Sequence, residues 1–85
     1  MNKELSSSEK FLLTLLNNVN DLIVISNKRK EARDVILSFK TYAKNKGISV
    51  PDEKIDNLLS VLLDSRQNTL SYLITDIAKT IVKKS

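Results

Sequence analysis

Apolar residues recur along this chain every three or four positions with polar residues between them, the pattern of helices that each bury one face. In the first segment Leu12, Leu15, Leu16, Val19, Leu22 and Ile23 mark such a face, Phe11 widens it, and Asn17, Asn18, Asn20 and Asp21 fill the other side. Ser6 and Glu9 have capping-box spacing, in which the hydroxyl takes an early backbone N–H and the carboxylate reaches back to the cap. A first helix is therefore predicted over residues 6–25, closed by Ser26 and Asn27, which are poor interior residues and good caps.

The second stripe is Ala32, Val35, Ile36, Phe39, Tyr42 and Ala43, predicting a helix over residues 28–46. Lys44 and Lys46 lie where the carbonyl end of the helix dipole favours cations. Gly47 follows as the left-handed terminating residue, with Ile48 folding back onto the last turn. The third helix opens through Ser49, Val50, Pro51, Asp52 and Glu53: Ser49 and Asp52 have cap spacing, Pro51 is expected in the first turn, and the acids face the positive end of the dipole. Its stripe is Ile55, Leu58, Leu59 and Leu62, widened by Val61 and Leu63.

Residues 64–69 are wholly polar, and Leu70, Leu73, Ile74, Ile77, Ala78, Ile81 and Val82 then give the cleanest pattern in the chain. Lys79, Lys83 and Lys84 stand at the negative end of this last helix. The polar stretch is expected to be a turn, with Ser65 or Asn68 as the next cap. The alternative is one continuous helix over residues 50–84, leaving a three-helix chain with an apolar seam that a second chain would cover. An antiparallel four-helix bundle buries all four stripes within one chain, so the expected class is all-α, a single helical-bundle domain over residues 1–85, monomer rather than dimer.

With 85 residues, one Gly, one Pro and no Trp, a β-rich or loop-rich design is disfavoured. The absence of Cys and His removes disulfides, thiolate metal sites and the commonest general base. No phosphate-binding glycine loop or paired-carboxylate motif is present, and Asp52, Glu53 and Asp56 are explained by dipole compensation. The expectation is a protein that is not an enzyme and needs no cofactor or metal. The longest unbroken apolar run, Leu22, Ile23, Val24 and Ile25, is far short of the ~20 residues that span a bilayer, and no secretory signal is visible. The chain reads as cytoplasmic.

The formal charge is +4, and its excess is concentrated: residues 28–47 hold seven bases and two acids. On the second helix Arg29, Arg33, Lys40 and Lys44 fall within an arc of about 60°, flanking the apolar stripe, with Leu37 beside them. This ridge, reinforced by Lys28 and Lys30, is the candidate partner-binding surface, and Lys79 and Lys83 of the last helix are candidates with it. A solvated face with one stray leucine is the plainer reading of the same residues. Nucleic acid is a disfavoured partner. The only Gly-containing junction leads into Asp52 and Glu53, the wrong charge for phosphates, and Phe11, Phe39 and Tyr42 all fall on core faces. Peripheral membrane contact through the last helix stays open, although closing the core is the better use of its apolar face.

Over residues 12–82 the chain resembles the immunity proteins that protect bacteria from their own pediocin-like (class IIa) bacteriocins, of the enterocin A immunity type. The resemblance is carried by the run Leu15, Leu16, Asn17, Asn18, Val19, Asn20, Asp21, Leu22 and Ile23, followed by a polar break and a charged helix ending in Lys44, Asn45 and Lys46. It implies a cytosolic binding protein, partly membrane-associated through its target. The implied partner is a membrane receptor, a mannose phosphotransferase permease with bacteriocin bound, which is blocked so that no pore leaks. The competing class is a small regulatory nucleic-acid- or protein-binding helical module from a mobile element.

Overall fold

Ser6 caps the first helix as its spacing predicts. In the computed structural model, which describes residues 4–83, the Ser6 hydroxyl accepts from the Glu9 N–H at 3.1 Å and the Glu9 carboxylate accepts from the Ser6 N–H at 2.8 Å. Helix α1 (Ser7–Ile23) follows, ending two residues earlier than expected. Ile23 is fully buried, whereas Val24 and Ile25 are exposed, so the helix stops once its last core position is filled. A single 3-10 turn (Ser26–Lys28) reverses the chain, and α2 (Arg29–Asn45) begins.

The end of α2 is set by the one glycine. Gly47 has φ +69°, the Ile48 N–H reaches the Ala43 carbonyl at 2.9 Å, and the Gly47 N–H reaches that of Lys44 at 3.2 Å. This pair of bonds is the Schellman closure, and it turns Ile48 back against the core. Helix α3 (Asp52–Val61) differs slightly from expectation: Pro51 occupies the cap position rather than the first turn, and the helix opens directly on Asp52 and Glu53. Its apolar stripe ends at Leu62. Beyond it the polar residues 64–66 have nothing to pack, so the chain turns over residues 62–66 and α4 (Gln67–Lys83) starts. The continuous helix is thus not formed, and Asn68 lies inside the first turn of α4 rather than capping it. Lys84, expected to finish the last helix, lies outside the described residues.

Side-chain links between helices define the topology. Asn20, late in α1, accepts a hydrogen bond from Ser71, early in α4, at 3.0 Å. Lys54, early in α3, pairs with Asp76 and donates to Thr80, late in α4, both at 3.0 Å. Phe11, early in α1, packs on Tyr42, late in α2, with ring centroids 4.6 Å apart. Neighbouring helices therefore run antiparallel in an all-α four-helix bundle. α1 touches α2 and α4, α3 touches α2 and α4, and the other two pairs lie across the diagonals. The body measures 41 × 24 × 20 Å.

The core follows the stripes. Leu12, Leu16, Val19 and Ile23 meet Ala32, Ile36, Phe39 and Ala43, then Ile55, Leu58 and Leu62, then Leu70, Ile74, Ile77 and Ile81, all buried. Phe11 and Leu63, expected to widen these faces, and Val82, expected on the stripe of the last helix, are not buried. Phe11 is 44% exposed at the rim, and Leu63 and Val82 are more than half exposed. They sit at the edges of their stripes, where the neighbouring helix does not reach.

Candidate partner-binding surface

The cations of α2 face α3, and the register between these helices decides the fate of each. Lys44 pairs with Asp52 at 3.7 Å, and Lys40 with Asp56 at 3.0 Å. The hydrogen bond to Asp56, with the added charges of Asp56 and Asp52, holds the Lys40 ammonium above its ordinary pKa of 10.5, against a smaller opposing effect of burial. Stepping one turn at a time towards the start of α2, the same antiparallel register sets Leu37 against Leu59 and Arg33 against Leu63. These four residues line one depression of about 300 Å³, with Asp56, Ser60 and Leu62 around it.

Arg29 ends the row differently. It is half-buried and donates from Nε to the Ile23 carbonyl at 3.2 Å, and from Nη1 to the carbonyls of Leu62 at 3.2 Å and Ser65 at 2.7 Å. One guanidinium thus satisfies carbonyls at the C-terminal ends of both α1 and α3, where the backbone has no helical donors left and the dipole favours a cation.

The four cations of the ridge are therefore not equivalent. Arg29 is committed to backbone, Lys40 and Lys44 are committed to carboxylates, and Arg33 alone of the four makes no ion pair or hydrogen bond among the described residues. Opposite Arg33, where the register runs past the end of α3, stands Leu63 instead of an aspartate. Beside Arg33, Leu37 is 43% exposed and Leu63 is 55% exposed. The two leucines and Arg33 border a second depression together with Lys30 and Asp34, and Leu37 also borders a third with Ser38, Thr41, Tyr42 and Asn45.

Sequence reasoning placed Arg33 and Leu37 here and missed Leu59, Leu63 and Asp34. Leu59 and Leu63 had been assigned to the core stripe of α3. The available signal was their i, i+4 spacing on the edge of that stripe, which matches Arg33 and Leu37 on α2. Lys79 and Lys83 are exposed on α4 and are not brought to this surface. The apolar face of α4 is occupied in the core by Leu70, Ile74, Ile77 and Ile81, while Tyr72 and Val82 of the same helix are exposed. At the other end of α2, Lys46 sits 5.7 Å from the Tyr42 ring centroid, over the ring that Phe11 packs against.

Among the described residues no group of three or more acidic side chains is placed to hold a metal ion, and no helix is long and apolar enough to cross a membrane. The arrangement offers a shallow apolar seam between two helices, closed by polar links at both ends and carrying one unpaired arginine. No family model, curated protein or solved structure matches this chain.

Proposed function

We propose that this chain is a non-catalytic binding protein that acts as an immunity protein against a pediocin-like bacteriocin. The binding reading is carried by one observation: Leu37 of α2 and Leu63 of the α3–α4 turn are exposed side by side next to an arginine without an ion-pair partner. Isolated exposed leucines are ordinary, but two that share a depression and flank an unpaired charge make a patch that a partner can cover. The immunity reading rests on the sequence resemblance, and the bundle architecture agrees with a function that needs a rigid surface and no bond-making step. The partner it implies is the bacteriocin-bound permease, engaged from the cytoplasmic side through α2 and α3.

The pairing of Lys40 and Lys44 with acids, and of Arg29 with carbonyls, weighs against a surface for nucleic-acid phosphates, because little free positive charge remains on this face. The test is expression of the gene in a bacteriocin-sensitive strain, followed by challenge with a panel of pediocin-like peptides. The proposal expects raised resistance to at least one peptide relative to the empty vector. No rise against any member of the panel overturns the immunity reading.

A further inference from the structure

We infer that the middle of the α2–α3 seam is a docking groove for an amphipathic helix of another protein, one that presents an apolar ridge to Leu37, Leu59 and Leu63 and a carboxylate to Arg33. This rests on the binding reading above and goes further by fixing the chemistry of the occupant.

The seam is a ladder with an interrupted rung. Lys44 and Lys40 meet Asp52 and Asp56 at one end, and Arg29 grips the Leu62 and Ser65 carbonyls at the other. Between them Arg33 and Leu37 face Leu63 and Leu59, so the positive charge that the neighbouring rungs neutralise internally is left unneutralised. The floor at that point is apolar and open to solvent. Lys30 borders the same stretch and likewise makes no ion pair among the described residues. Asp34 stands beside them, and Asp56 is already paired with Lys40, so the free charges bordering the two depressions sum to one excess positive.

A carboxylate from outside completes the rung in the way Asp56 completes its neighbour. A helix suits the groove because the residues of each wall are spaced by one turn, Arg33 and Leu37 on one side and Leu59 and Leu63 on the other. A third helix can lay residues at i, i+3, i+4 and i+7 between such rows.

The experiment uses the full chain, isotopically labelled, and two synthetic amphipathic peptides of about 18 residues, roughly five helical turns. Both carry leucines at helical spacing, one with glutamates beside them and its twin with lysines. The expected result is saturable chemical-shift change confined to residues 30–37 and 59–63 with the glutamate peptide, and about tenfold or weaker binding of the lysine twin. Arg33→Glu reverses that preference, Leu63→Asp abolishes binding of both, and Lys10→Glu, on α1 diagonal to α3, changes neither. Circular dichroism of each variant confirms that the helices are intact.

Equal binding of the two peptides overturns the proposal, as does absence of shifts at millimolar peptide. Shifts of these same residues caused by self-association or by phosphatidylglycerol vesicles, with none from the peptide, also overturn it. If the groove binds the glutamate peptide but the chain protects no strain, the immunity reading fails and the groove stands. If protection survives Arg33→Glu and Leu63→Asp, the groove fails and the immunity reading stands.

Discussion

Arg29 and Arg33 lie one turn apart on α2, and replacing each with methionine should have opposite consequences. Arg29→Met keeps most of the aliphatic stem and deletes three hydrogen bonds to the Ile23, Leu62 and Ser65 carbonyls. A hydrogen bond from a charged donor contributes about 1.5–3 kcal/mol when its partner is desolvated. Here the carbonyls are only part-buried and regain water, which brings each loss towards about 0.5–1 kcal/mol. Losing the cation at two helix C-termini adds roughly 0.3–1 kcal/mol for each. The expected total is about 2–5 kcal/mol, out of roughly 4–13 kcal/mol for a domain of this size. At roughly 4–8 °C per kcal/mol, the midpoint should fall by at least about 8 °C. Arg33→Met, whose guanidinium has no partner to lose, should stay within about 0.5 kcal/mol of the parent. Urea and thermal denaturation followed by circular dichroism at the helical band measure both. A loss below about 0.5 kcal/mol for Arg29→Met, or equal losses for the two variants, would refute the assignment of Arg29 to the frame and Arg33 to the surface.

Phe39 is the largest fully buried side chain, so Phe39→Ala should cost about 3–5 kcal/mol, read by the same denaturation curves. Gly47 at φ +69° has open space around it, so Gly47→Ala is disfavoured by backbone strain alone, about 1 kcal/mol, and Gly47→Asn should recover part of that loss. The raised pKa of Lys40 means its pairing with Asp56 contributes stability below the ordinary lysine value of 10.5, and loses it as pH rises through the higher folded value. The stability difference between the parent chain and Asp56→Asn should therefore be constant from neutral pH to about 10 and shrink above it. A difference that does not change between pH 9 and 12 would contradict the pairing.

How far the sequence determines this structure is clearest on the faces themselves. The stripes of α2 and α4 contain every buried residue of those helices, because a period of 3.6 depends only on the chain's own geometry. Gly47 and the Ser6–Glu9 box are equally local, and each forms where expected. What could not be read are properties of pairs of helices. The arc of Arg29, Arg33, Lys40 and Lys44 is correctly drawn on α2, but whether a cation on it is free depends on which α3 residue stands opposite. Asp52 and Asp56 were explained by the helix dipole alone, yet they also supply the carboxylates for Lys44 and Lys40. Arg29 is the extreme case, since its partners are backbone carbonyls 6, 33 and 36 residues away, to which no side-chain pattern points. Leu63 and Phe11 failed for the converse reason: a broad stripe was assumed to be covered across its whole width, and the neighbouring helix covers only its centre.

The proposed docking groove puts the work of this protein in the open middle of the α2–α3 seam, on a frame held elsewhere. The most direct measurement is protection of a bacteriocin-sensitive strain by Arg33→Glu combined with Leu63→Asp, expressed to the parent level and matched to it in helicity and thermal midpoint. The predicted result is loss of protection by the double variant, with Lys10→Glu retaining the parent's resistance. Undiminished protection by the double variant would contradict it.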